Sequence, residues 1–171
     1  MSRKEIEFTE IMESLYRETK GNGILMTSIG KDGQPNVMTL GWGLFGWFYH
    51  GHPVVTVAVR PACHSFKLLD EVGEFVLCVP TADMVEAVTF CGTKSGRDYD
   101  KFKETGLTPI PSFKIKPPSI GQCPINIECR IYHKERPPHY ILTPEHREKP
   151  LEQQHTIYFA EVLGTYIAKS G

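Results

Sequence analysis

A chain of 171 residues, 40% of them hydrophobic, has the length for one domain and the apolar content for a sizeable core. Its 19 basic and 20 acidic residues leave a formal net charge of −1. No overall field therefore draws it to nucleic acid or to an anionic membrane. The five cysteines, Cys63, Cys78, Cys91, Cys123 and Cys129, form no C-x-x-C pair. Met1 to Lys20 is too charged for a secretory leader, and no run reaches the ~18–20 apolar residues of a membrane span. The expectation is one cytoplasmic domain over 1–171 with reduced thiols and no membrane or nucleic-acid partner.

In chain order, Phe8, Ile11, Met12, Leu15 and Tyr16 predict an amphipathic helix over Glu5 to Glu18, stopped by Gly21-Asn22-Gly23. Ile24 to Ile29 and Pro35 to Leu40 read as strands joined by the turn Lys31-Asp32-Gly33-Gln34. Val54 to Val59 is a β-branched strand. Ser65 caps a predicted helix with Phe66, Leu69 and Val72 inward, ended by Gly73. Glu74 to Val79 follows as a strand, then a Thr81-capped helix over Met84, Val85 and Val88 that ends near Gly92. A short helix from about Asp98 to Thr105 stops at Gly106. Ile125 to Tyr132 and Thr156 to Ile167 read as long strands. Between them, Lys134 to Gln154 is a charged, proline-rich loop or arm with a brief strand at Tyr140 to Leu142. Six or seven strands with three short helices fit a mainly β, antiparallel barrel rather than a doubly wound sheet.

Two segments suit an anion. Thr93 to Lys101 supplies hydroxyls, backbone N–H groups near Gly96, and the cations Lys94, Arg97 and Lys101 ahead of a helix. A plain solvated loop with Asp98 as a helix cap is the competing account. It is neither a P-loop nor a dinucleotide fingerprint. Arg60-Pro61-Ala62-Cys63-His64-Ser65 is a second cationic turn opening a helix. Cys63 beside His64 reads as a half-buried thiol rather than a nucleophile, because adjacent side chains rarely converge. Asn36 to Tyr49 holds both tryptophans and three glycines, a flat apolar surface for a planar ring or for a second subunit.

No metal is expected. His50-Gly51-His52 lacks a third ligand at a recognised spacing, and Cys123 and Cys129 would share one face of a strand. His133, His139 and His146 read as solvated arm residues.

These pieces, in order, resemble the flavin reductase-like FMN-binding split-barrel family, and its flavoredoxin group most closely. The resemblance runs through Asn36-Val37-Met38-Thr39 with Trp42, Val57-Ala58-Val59-Arg60-Pro61, and Gly73-Glu74-Phe75-Val76-Leu77 with Val79-Pro80. It continues through Ser95-Gly96-Arg97-Asp98, Asp100-Lys101-Phe102, Gly106-Leu107, Ile127-Glu128-Cys129, and His155-Thr156-Ile157 with Glu161-Val162. It implies a Greek-key split barrel with short peripheral helices, forming a homodimer that holds FMN non-covalently. By position, Asn36, Val37, Met38, Thr39 and Trp42 would lie along the isoalloxazine. Arg60, Cys63, His64, Ser65, Ser95, Gly96, Arg97 and Lys101 would surround the phosphate or ring edge. Family members often carry threonine at the position of Ser65. His155 matches a histidine thought to face the nicotinamide, with Gln153-Gln154 replacing the usual Gly-Asp before it. The implied activity is an NAD(P)H-dependent flavin or acceptor reductase. The alternatives are an electron carrier served by a redox protein partner, and a dimeric binding domain without turnover.

Overall fold

Alternating apolar residues build a barrel wall with one face turned to a common interior. The computed structural model describes residues 3–21, 23–48, 51–139 and 150–168. The long strands are β1 (Arg3–Ile6), β2 (Ile24–Ile29), β3 (Pro35–Leu40), β4 (Gly43–Phe48), β5 (His52–Val59) and β6 (Glu74–Val79). Two-residue strands β7 (Pro109–Ile110) and β8 (Ser119–Ile120) pair with each other, and β9 (Ile125–Glu135) and β10 (Thr156–Ala168) complete the set. The helices are α1 (Met12–Lys20), α2 (His64–Val72), α3 (Val85–Thr93) and α4 (Lys101–Thr105).

The main sheet is antiparallel, in the order β3-β2-β6-β9-β10-β5-β4, with β1 added along the far half of β10. Strands β5 and β6 are consecutive in the chain but separated in the sheet by β9 and β10. That crossing, carried by α2, gives the Greek-key path of a split barrel.

Two cores follow from the pleat. Ile24 and Met26, Val55, Val57 and Val59, Phe75 and Leu77, Ile127, and Tyr158 alternate inward from five strands. Phe8, Ile11 and Leu15 plug that interior from the N-terminal segment. On the opposite face of β2, β3 and β6, Leu25, Val37, Val76 and Cys78 meet Val88, Cys91 and Phe102 of α3 and α4. These strands are covered on both sides, and β6 accordingly reads as a continuous apolar run from Phe75 to Val79.

Several expectations need correction. The segment before α1 is not helical: Arg3–Ile6 pairs with Thr165 to Ala168 as a strand, and a 3-10 turn at Phe8–Ile11 precedes the helix. Tyr16 is outside the apolar face, 72% exposed. Strand β4 forms despite its glycines, because Gly43 to Phe48 pairs with β5. The last short helix starts at Lys101, not Asp98. Asp100 is its cap, accepting from the Lys103 amide at 3.2 Å. Strand β9 runs on to Glu135, into the expected arm. Cys123 precedes β9 and joins the second core, whereas Cys129 faces the first, so they share no strand face. The expected strand at Tyr140 to Leu142, and His50 and His146, lie outside the described residues. Among the described residues, no helix is long and apolar enough to cross a membrane, and no group of three or more His, Cys, Asp or Glu is placed to hold a metal ion.

Helix α2, which carries part of the candidate site, is fastened to the barrel by Asp70. Its carboxylate accepts from Lys134 Nζ at 2.8 Å, Arg136 Nη2 at 2.9 Å and the Tyr158 hydroxyl at 3.0 Å. Burial pushes this carboxyl up. The hydrogen bonds from Lys134 and Tyr158 and the charges of Lys134 and Arg136 outweigh that and hold it below its ordinary value. A carboxylate with a depressed folded-state pKa stabilises the fold above its unfolded pKa. That stabilisation is lost as pH falls through the folded value. Urea unfolding from pH 7 to pH 3 is therefore expected to show a loss of stability below about pH 4 that is shallower in Asp70→Asn than in the wild type.

Candidate functional site

Three elements meet beside the N-terminal half of β3. The strand presents Asn36 and Met38. Cys63, with an extended backbone, caps the start of α2 and puts His64 and Ser65 in its first turn. The loop from the end of α3 to α4 brings Ser95, Gly96 and Arg97 across. Asn36 Nδ2 donates to Ser65 Oγ at 2.8 Å, and both residues are buried. Ser65 is thus not the helix cap: its hydroxyl is spent on the strand. Gly96 lies so close that an added Cβ would fall on the Asn36 amide oxygen and stand 3.0 Å from His64 Cδ2. Only glycine admits this approach, which closes the loop onto both other elements.

The three elements enclose a cavity of about 260 Å3. Arg60, Lys94, Arg97 and Lys101 line it together with His64, Ser65 and Ser95, and no carboxylate lines it. Lys101 is 5% exposed, and its ammonium donates to the Cys91 carbonyl at 2.8 Å. It makes no ion pair with a carboxylate of the described residues. Burial lowers its pKa, opposed by the neighbouring thiols Cys91 and Cys63. Burial likewise pushes the Cys91 thiol up to about 11, so it is a neutral lining group at pH 7. The His64 imidazole is lowered first by burial and then by the charges of Arg97, Lys67 and Lys101, with Asp32 opposing. Arg97 is braced by a bond from Nη1 to the Ala62 carbonyl at 2.9 Å, which ties the loop to the Arg60–Ser65 turn. Of these cations Lys101 is buried, whereas Arg60, Lys94 and Arg97 are exposed. A buried ammonium without a carboxylate partner is costly, and the arrangement suits a doubly charged oxyanion such as a phosphate monoester.

Ten of the residues expected around a cofactor line this cavity: Asn36, Met38, Arg60, Cys63, His64, Ser65, Ser95, Gly96, Arg97 and Lys101. Three do not. Val37 points into the second core and is fully buried. Thr39 Oγ1 donates to the Val88 carbonyl, and its side chain packs against Gly92 of α3. Trp42, 45% exposed, lines a small gap among Ile24, Leu40, Phe45 and Val57 at the other end of β3. His155, exposed just ahead of β10, accepts through its carbonyl from His139 Nε2 at 2.8 Å and does not line the cavity. Sequence reasoning missed the end of α3, where the Cys91 carbonyl holds Lys101 and Gly92 lines the wall. The one available signal was the glycine that lets this helix approach Thr39. The helix expected to aim its N-terminus at an anion is the five-residue α4, too short for that role.

Replacing Lys101 by methionine keeps the stem and removes the buried charge. Lys101→Met is expected to raise the unfolding free energy of the ligand-free protein by about 1–2 kcal/mol in urea titration, and to abolish any stabilisation by added phosphate.

The family model described as "Flavin reductase like domain" matches residues 16–171. An uncharacterised protein of Archaeoglobus fulgidus is 38% identical over 98 residues, covering 57% of this chain and 54% of the relative. The chain spans about half the length of the first curated relatives it matches. Among solved structures, the flavoredoxin of Desulfovibrio vulgaris superposes with a TM-score of 0.70 at 24% identity, over 85% of this chain and 69% of that one. An FMN-binding domain of a flavin reductases-like enzyme from Shewanella baltica gives 0.68 at 20% identity, over 97% and 77%. Those likenesses bear on the fold, which is shared, and the family match extends over most of the chain: this protein is a member of the flavin reductase-like domain family.

Proposed function

We propose that the protein is an FMN-binding oxidoreductase whose cationic cavity holds the flavin phosphate. One observation carries this reading: four cations and two serine hydroxyls line a cavity that contains no carboxylate. The FMN-binding domain from Shewanella baltica shares the fold and supports the choice of flavin. Arg60, Arg97 and Lys101, with the Ser65 and Ser95 hydroxyls, would hold the phosphate. Met38, further along β3 toward Trp42, would lie beneath the ring system.

Bound flavin supplies the two-electron chemistry. The chain's own part is to bind, orient and tune. The Asn36–Ser65 bond and the Gly96 contact fix the cavity walls before ligand arrives, so little ordering is left for binding. No nucleophile or acid–base pair is required.

We further propose that the chain acts as a single domain in a cytoplasmic homodimer. The edge strand β4 supports the homodimer, since its Leu44 and Trp47 are 63% and 53% exposed. For the electron donor we favour NAD(P)H. The electron-carrier alternative keeps one observation in its favour: His155 does not line the cavity.

The test is direct. Flavin-free protein titrated with FMN is expected to quench flavin fluorescence saturably, and Arg60→Ala to weaken binding at least about tenfold, the worth of one charge-assisted contact. Anaerobic NADH or NADPH then separates the two activities. Loss of visible flavin absorbance at enzymatic rates marks a reductase, and unchanged absorbance marks a carrier. A protein that takes up no FMN overturns both.

A further inference from the structure

Helix α2 begins on His64, a half-buried residue that lines two spaces of opposite sign. On one side is the cationic cavity, with Arg60, Lys94, Arg97 and Lys101. On the other is a groove of about 510 Å3, where Asp32, Glu71, Asp98 and Asp100 stand against Lys67 and Arg97. Gly96 packs close to the ring, since a Cβ there would stand 3.0 Å from His64 Cδ2. Among the described residues, neither ring nitrogen has a hydrogen-bond partner.

Charged and titratable groups surround the imidazole from every neighbouring element. Its own helix brings Lys67, whose ammonium pairs with Glu71 at 3.5 Å. The turn between β2 and β3 brings Asp32, which also accepts from the Gln34 amide. The 95–101 segment brings Arg97 and Lys101 together with Asp98 and Asp100. The turn before α2 adds Arg60 and Cys63, and the end of α3 adds Cys91 and Lys94. Burial and the charges of Arg97, Lys67 and Lys101 weigh against a proton on the ring, and Asp32 favours one. The positive end of the α2 dipole acts with the cations. At pH 7 the ligand-free protein therefore carries a neutral His64.

A doubly charged phosphate in the cavity reverses that balance. It offsets the field of Arg97 and Lys101, while Asp32 and the other groove carboxylates still favour an imidazolium. The arginines keep their charge throughout, and the Cys91 thiol stays neutral. An imidazole is the side chain that ordinarily changes charge between pH 5 and 8.

Resting on the phosphate reading of that cavity, we propose that His64 is a conditional cation: it takes a proton from water when the phosphate binds, so that pH sets how tightly the site holds its ligand. The phosphate stays a dianion, and the proton ends on the imidazole. A base whose bound-state pKa lies above its free-state value adds affinity as pH falls through the bound value, and the gain is complete below the free value. The phosphate monoester takes its own second proton near pH ~6, which works the other way. A variant without the imidazole shows that opposing effect alone.

Two measurements test the linkage. NMR of the wild-type full chain follows the His64 imidazole, assigned through its own backbone, from pH 8 to pH 5 without ligand, with riboflavin and with FMN. Expected is a titration midpoint that rises with FMN and not with riboflavin, which lacks the phosphate. A midpoint that FMN leaves unmoved or lowers, or that riboflavin raises equally, overturns the proposal. In fluorescence titrations, the ratio of wild-type to His64→Gln affinity for FMN is expected to grow at least about threefold from pH 8 to pH 6. A ratio constant over that range overturns it as well. Failure of FMN to bind the wild type at any pH refutes the phosphate reading itself, and the proton linkage with it.

Discussion

The Lys101 ammonium is removed from water and given one carbonyl, that of Cys91, as its hydrogen-bond acceptor. Arg60, Arg97 and Lys94 line the same space, and no carboxylate does. Holding like charges together, one of them buried, works against folding. The barrel and its two cores hold them nonetheless, because the residues that carry them sit on elements fixed elsewhere. Phe102, next in sequence, is anchored in the second core, and α2 is tied to the barrel through Asp70. The proposed phosphate would supply the negative charge that the cavity lining lacks.

That dependence explains the polar details around it. Asn36 reaches across to Ser65 because β3 and α2 must keep a fixed separation, and Gly96 is the residue that lets the cationic loop close over them. The imidazole of His64, lowered by burial and the surrounding cations, adds no permanent charge of its own.

Much of the fold was legible because its signals are local. Ile24 to Ile29, Pro35 to Leu40 and Glu74 to Val79 have the bounds expected from period-two and β-branched patterns, and Gly73 and Gly106 end their helices with positive φ. What failed depended on distant partners. The helix was expected from Glu5, yet Glu5 and Ile6 belong to a strand because β10 offers Arg3–Ile6 an edge to pair with. Strand β4 is a strand through β5, not through its own glycine-rich sequence. The site was legible where charge, glycine and hydroxyl cluster in a short segment, as in Arg60 to Ser65 and Ser95 to Lys101. Along β3 the cavity is lined by Asn36 and Met38. Alternation sends Val37 and Thr39 to the helix-covered face, a consequence of a second core that no local pattern announces. The loop was expected to combine hydroxyls, backbone amides and cations with a helix start; that helix, α4, begins only at Lys101 and is five residues long.

On the proposed reading, the phosphate, more than the ring, selects the ligand. Riboflavin carries the same ring without that group. Parallel titrations of the flavin-free protein with FMN and riboflavin at fixed salt isolate the phosphate's contribution. Two or more charge-assisted contacts, each about 1.5–3 kcal/mol, predict that FMN binds at least about a hundredfold more tightly. Equal affinity for the two would contradict the assignment of this cavity to a phosphate.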